Sequence, residues 1–292
     1  MTERKRPHRP RVLVAGYASL DRAIRVNRCP GPGTTGVIHH IVDAQRRPGG
    51  IAHAALALAT AGMDVSVLTA VGDDEPGRRY SEALEQAGCD TTPMLVRGDT
   101  TPYTDLLYAD DGSTACLFHP GAPGSWELEP ADMGYVGMAD AVVCMVGPAE
   151  VTAMLLDTVA EDIVVAWVIK DDRQALSGDL PKRLSGRADL IFCNRSESRL
   201  IDRDALRPST IVVQTAGPEP VQVTAGGAHA SYPVEPLDPM PVDPTGAGDA
   251  FAGGFIAAHL LGATTAEATA AGMSASRRLL SSRDSDDTGG DR

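Results

Sequence analysis

The stretch Asp243-Pro-Thr-Gly-Ala-Gly-Asp249, running on into Ala250-Phe-Ala-Gly-Gly-Phe255, joins the parts of an anion site to a carboxylate. Pro244 cannot sit inside a helix, and Gly246 and Gly248 free the backbone for a tight turn. From Ala247 onward the residues are small or apolar, which suits a buried helix. The first turn of a helix carries unpaired amides and a partial positive charge, and glycines let a phosphate reach them. Asp249 falls in that first turn, beside the anion. A carboxylate there is electrostatically unfavourable unless it takes a proton, so the expected chemistry is proton removal next to a bound phosphate.

Other residues could complete such a site. Asp21 follows the strand-like run Arg11–Gly16, and ligands in open α/β sheets sit beyond the carboxyl ends of strands, so Asp21 could accept hydrogen bonds from a polyol. A turn or cap aspartate explains it as well. Gly49-Gly50 opens an Ala-rich helix that ends at Gly62, and His53 lies in its first turn, facing the same space. A single histidine is more often structural than functional. Asn194-x-x-Glu197, taken alone, reads as a helix cap with its capping-box partner. Gly31-Pro-Gly33-Thr-Thr-Gly36 matches G-x-G-x-x-G formally, but prolines interrupt it and no apolar strand feeds it. Val37 stands where a Walker lysine would be needed.

The elements that position these residues follow from the pattern. Strands are expected at 11–16, 65–71, 141–146, 163–169, 189–193 and 210–214, with helices near 53–61, 77–87, 149–160, 174–184 and 196–203. That alternation predicts an α/β fold with a doubly wound, mostly parallel sheet. Two excursions break it: an extended, turn-rich segment at about 22–47, and a hairpin around Asp110-Asp-Gly112 within 100–118. Together they predict a small β-sheet lid over the ligand. A second hairpin is expected at 221–232, a helix from Ala247 to about Leu261, and a last helix over 265–280. One domain over 11–280 results, with 1–10 and 281–292 as flexible polar tails.

Length and composition agree. The 292 residues are 43% hydrophobic but only 4% aromatic, so the core must be aliphatic. A net charge of -13 argues against nucleic acid and against anionic membrane as the main partner, while backbone dipoles still permit a small anionic ligand. The five cysteines are widely spaced with no C-x-x-C, which predicts reduced thiols rather than a metal or disulfide framework. No apolar run approaches the ~20 residues of a membrane span. A cytoplasmic protein is expected.

Asp243-Pro-Thr-Gly-Ala-Gly-Asp249 resembles the C-terminal signature of the ribokinase-like (PfkB) family of sugar and nucleoside kinases. Gly49-Gly50 with its helix, followed by Ala70-Val-Gly72-Asp73-Asp74-x-x-Gly77, resembles the N-terminal signature, and Asn194-x-x-Glu197 matches the N-x-x-E motif between them. The resemblance covers about 11–280. It implies that Asp249 is the catalytic base, that the amides of Gly246, Ala247 and Gly248 form an anion hole, and that Asp21, Gly49, Gly50 and His53 hold the acceptor. It further implies ATP and Mg²⁺, with Asn194, Thr215, Gly217 and Thr245 at the nucleotide and Glu197 with Asn194 ordering the metal. Departures are visible: His53 replaces a common Asn, Pro220 replaces the last glycine of T-x-G-x-x-G, and Lys170-Asp-Asp-Arg173 replaces D-x-N-x-R. Some relatives complete a monovalent-cation site with the segment after the last helix; here that segment is short and polar, leaving Asp243 as a candidate ligand. The function implied is ATP-dependent phosphorylation of a hydroxyl on a sugar or sugar-containing metabolite. A nucleoside kinase, with Tyr103, Tyr108 or Phe118 stacking a base, and a silent sugar- or nucleotide-binding regulator are the alternatives. Exposed edges of the lid sheet allow a homodimer.

Overall fold

The computed structural model describes residues 9–42, 45–121, 126, 128–238 and 243–287. In chain order they form β1 (Arg11–Ala15), β2 (Ala18–Val26), β3 (Ile38–Ile41), β4 (Arg47–Gly50), α1 (Ala52–Thr60), β5 (Asp64–Leu68), β6 (Ala70–Val71), α2 (Glu75–Gln86), β7 (Leu95–Val96), β8 (Tyr103–Ala109) and β9 (Thr114–His119). Then come α3 (Pro130–Met138), β10 (Ala141–Cys144), α4 (Ala149–Thr158), β11 (Val164–Val168), α5 (Leu180–Arg187), β12 (Leu190–Asn194), β13 (Ile211–Ala216), β14 (Glu219–Ala225), β15 (Ala228–Tyr232), α6 (Ala247–Leu260) and α7 (Thr265–Asp287).

The main sheet has the order β15-β14-β13-β12-β11-β10-β1-β5. Its strands are parallel from β5 to β13, and the β14–β15 hairpin closes one edge antiparallel. Helices cover both faces, so the strands read as continuous apolar runs. Within β1, Val12 and Val14 pack with α1 and α6, through residues such as Leu58, Phe251 and Phe255. Leu13 and Ala15 point the other way, into a core shared with α3, α4 and α5 through Val136, Leu155 and Leu184. Phe192, Phe251 and Phe255 cluster beneath α6, with ring centroids 5.3 to 6.4 Å apart.

The smaller sheet has the order β3-β2-β8-β9, with β4 paired to the first half of β2. Its strands lie within 18–50 and 103–119, so it begins earlier and ends later than the excursions expected at about 22–47 and 100–118. The expected fold class is the observed one. All five cysteines are free thiols. No helix among the described residues is long and apolar enough to cross a membrane.

Several boundaries differ from expectation. The run 65–71 leaves the main sheet after Leu68, and β6 pairs with β7 instead. α2 starts at Glu75 because Asp74 caps it, accepting from the Gly77 amide at 2.8 Å. The expected helix 174–184 starts only at Leu180, because the Asp172 carboxylate draws the amides of Gln174 and Ala175 into a turn, at 2.8 and 3.0 Å. At 196–203 there is one 3₁₀ turn, Glu197–Leu200. α3, which the pattern did not predict, opens on Pro130. α7 runs on to Asp287, through residues read from the sequence as tail. Residues 1–8 and 288–292 of the expected tails lie outside the described residues.

Candidate active site

The order of the main sheet reverses at β1, which lies between β5 and β10, and ligand crevices form at such a switch. At that end of the sheet the chain leaves β1 through Gly16 and Tyr17 into β2, which carries Asp21. Lys170 follows β11, Asn194 ends β12 with Glu197 just beyond, and Thr215 lies near the end of β13 as the register partner of Asn194. The start of α6 supplies Gly246 to Asp249. Sequence-distant candidates thus come from five elements to one end of the fold.

Asp249 sits in the first turn of α6, and burial is the main cause that pushes its carboxyl up to about 6. The charge of Lys170 opposes that rise, while Asp21 and Glu197 add to it. Asp21, Lys170, Glu197 and Asp249 therefore feel one another. Neutral water would solvate one carboxylate well; three in a partly enclosed space repel, and the lysine is what limits the repulsion.

The helix start has the geometry of an anion cradle. Gly246 is left-handed, at φ 78°, a conformation that L side chains rarely adopt. The first helical bond runs from the Ala250 amide to the Gly246 carbonyl at 2.8 Å, and the Ala247 amide turns back to the Pro244 carbonyl at 3.2 Å. The Gly246 and Gly248 amides donate to no acceptor among the described residues. A side chain at Gly246 would also collide with the His53 ring. His53 is buried, and neither ring nitrogen has a hydrogen-bond partner. Burial, and then the charge of Arg283, lower its pKa to about 4, so it is neutral at pH 7.

On the smaller sheet, Ser19 Oγ donates to Asp21 Oδ1 at 2.5 Å and is 2.7 Å from Thr104 Oγ1. Desolvation raises the Asp21 pKa against these bonds. Gly49 lies directly against the Asp21 carboxylate, which fills the place a Cβ would take. That close approach explains the glycine at this position. Gly50, at φ 56°, joins β4 to α1.

At the end of β12, Asn194 and Glu197 form a reciprocal pair. The Asn194 amide donates to Glu197 Oε2 at 2.8 Å, and Asn194 Oδ1 accepts from the Glu197 amide at 2.8 Å and from Ser196 Oγ at 2.7 Å. This is the capping geometry that the motif alone suggests. It leaves the Asn194 side-chain NH₂ as a donor. Glu197 is buried, and desolvation raises its pKa. Gly217, at φ 60°, makes the tight turn between β13 and β14. Among the described residues no group of three or more His, Cys, Asp or Glu could hold a metal directly.

Three features escaped sequence reasoning. Lys170 stood out only as a departure from D-x-N-x-R, yet it lies within charge reach of three site carboxylates. Tyr108, read as a base-stacking candidate, instead donates to Asp243 Oδ1 at 3.0 Å and hydrogen-bonds with the Thr245 hydroxyl. Arg283, read as tail, is buried against Asp243. The other two aromatics are also occupied: Tyr103 stacks on His119 at 4.8 Å under the Arg46 guanidinium, and Phe118 meets Tyr17 at 5.3 Å. A separate cavity of about 370 Å³ opens at the opposite end of the sheet, beside Arg11 and Asp64, and holds none of these residues.

Known proteins resemble this chain in sequence and in fold. An ATP-dependent ribose-1-phosphate kinase from Halopiger xanaduensis is 31% identical over 270 residues, 86% of this chain and 85% of that protein. A nucleoside kinase from Methanothermobacter thermautotrophicus is 28% identical over 86% of this chain and 83% of its own length. The crystal structure of a ribokinase from Cryptococcus neoformans in complex with ADP superposes with a TM-score of 0.79 at 21% identity, covering 90% of this chain and 91% of that one. The profile of the pfkB family carbohydrate kinases matches residues 9–287, and with it the chain belongs to that family.

Proposed function

We propose that this protein transfers the γ-phosphate of ATP to a hydroxyl of a sugar or sugar-containing metabolite, with Asp249 as the base. The observation that carries the reading is the position of Asp249. A carboxyl lifted to about 6 stands in the first turn of a helix with open amides, in charge contact with Asp21 on the smaller sheet. Asp21, backed by Ser19 and Thr104 and seated against Gly49, holds acceptor hydroxyls with its carboxylate. Asp249 accepts the proton of the attacking hydroxyl. The Gly246 and Gly248 amides receive charge on the phosphoryl oxygens, whereas the Ala247 amide, expected to join them, is held by the Pro244 carbonyl; Lys170 balances the charge from the β11 side. Phosphoryl transfer needs this positioning and charge stabilisation more than covalent help.

The residues fit ATP with Mg²⁺. Magnesium keeps most of its waters, so one carboxylate, Glu197, suffices to hold it, and the Asn194 amide is a donor for a phosphate oxygen. Mg²⁺ supplies neutralisation of phosphate charge. Thr215 and Gly217 border the nucleotide, and Thr245 steadies the turn below it. The buried His53 ring packs against Gly246 and backs the turn that the acceptor would meet.

The engaged state of Tyr103, Tyr108 and Phe118 favours a sugar or sugar phosphate over a nucleoside. The exposed apolar residues Val37, Ile38 and Ile41 lie on and beside the edge strand β3, which supports a homodimer through the smaller sheet. Free thiols support a reducing, cytoplasmic setting. ADP release is the test, across free pentoses and hexoses, their phosphates, and nucleosides. Turnover with a sugar or sugar phosphate is expected. Turnover with nucleosides alone selects the nucleoside kinase, and ligand binding without turnover selects a regulator.

A further inference from the structure

Asp243 precedes the anion cradle and is buried, at 8% exposure. Each of its oxygens is taken. Oδ1 accepts from the Thr245 amide at 3.0 Å and from the Tyr108 hydroxyl at 3.0 Å. Oδ2 pairs with Arg283 Nη1 at 2.8 Å, and the same nitrogen donates to the Asp243 carbonyl at 2.7 Å. Arg283 comes from the last turns of α7 and is itself 9% exposed. One guanidinium nitrogen is thus chelated by a carboxylate and a carbonyl of one residue, as a small cation would be.

These residues do not fit a monovalent metal ion. Such an ion needs oxygen lone pairs facing an uncharged space, whereas here donor hydrogens and a permanent positive charge face the oxygens. We infer that Arg283 is the resident cation of this site: α7 carries it to Asp243, it takes the place that a monovalent ion would need, and it holds the turn Thr245–Gly248 in position. Through Tyr108 the same clamp reaches β8 of the smaller sheet, so the phosphate side and the acceptor side share one anchor. Arg283 is a positioning residue, acting through Asp243 on the amides of the cradle. The breaking of such a buried pair leaves a charge uncompensated, which disturbs the turn as well as the helix.

Its rate effect rests on the kinase reading; its ion preference rests on the geometry alone, and the two are measured separately. The full chain is melted and, with its best acceptor, assayed in chlorides of Na⁺, K⁺, Cs⁺ and tetramethylammonium at one ionic strength. For the wild type, equal melting temperatures are expected in all four, with rates within about twofold, because the cation is already tethered. Selective stabilisation by K⁺, or severalfold activation by it, overturns the inference even if no variant can be purified. Arg283→Ala is expected to lower kcat by roughly 10²-fold, as loss of an oriented oxyanion donor does. Added guanidinium should restore part of that rate, and Arg283→Lys should lose less. Wild-type kcat in Arg283→Ala, or a loss that neither guanidinium nor lysine recovers, removes Arg283 from the positioning role. Absence of turnover with every acceptor defeats the kinase reading, while the melting series still judges the cation.

Discussion

Asp249 is the residue on which the proposed chemistry turns. Asp249→Asn keeps the shape and hydrogen-bonding surface but cannot accept the proton, so kcat should fall by roughly 10² to 10⁴-fold with ATP affinity retained. Stopped turnover and equilibrium nucleotide binding measure the two separately; near-normal kcat would exclude the base role. Because the carboxyl titrates at about 6, the rate should rise with pH through that value and level off above it. The stability sign is opposite. A carboxyl whose pKa is raised on folding adds stability below the unfolded value near 3.8, and that stability is lost as pH rises through about 6. Asp249→Asn should therefore melt higher than the wild type above about pH 7, with the difference closing near about pH 4. His53 offers a second test. Its buried ring, backing the turn that the acceptor would meet, predicts that His53→Ala raises acceptor KM more than it lowers kcat. Steady-state kinetics with a fixed acceptor separate the two effects.

The elements that hold these residues depend on a few positions where only glycine fits. Gly246→Ala places a Cβ at a left-handed φ and into His53, so it should cost about 1–2 kcal/mol of stability and most of the activity together. Thermal unfolding against a matched Gly248→Ala control, where open space lies around the added Cβ, checks this. Sequence pattern places the start of α6 correctly, because Pro244 and the glycines are local signals. It misplaces the start of α5 and the end of α7. At α5 a side chain of Asp172 captures the backbone first. At α7 a polar surface stretch continues as helix because Arg283 finds a buried partner forty residues earlier in sequence. Neither cause is visible as periodicity.

At the scale of the whole molecule, the smaller sheet meets the main body through Tyr108, which bonds Asp243 and Thr245, and through the Gly49 carbonyl, which accepts from the Tyr80 hydroxyl. If it is a lid, acceptor binding should slow amide exchange in β2, β8 and β9, and unchanged exchange would make it a passive edge. Its β3 edge leaves Ile38 56% exposed, so Ile38→Glu should shift a dimer to monomer in light scattering without unfolding it. A monomeric wild type would exclude that interface.

The linear order of residues was enough to specify the doubly wound sheet, the start of α6 and the place of Asp249 in its first turn, just after Gly246 and Gly248. Each is a local pattern: apolar period, helix breakers, and residue types at short spacing. Only the tertiary structure decided what surrounds them. Lys170 enters the site because β11 lies next to β12 in the sheet, and Arg283 reaches Asp243 because α7 packs back along α6. Charges act through space rather than along the chain, so their partners become legible only once the helices and strands are packed.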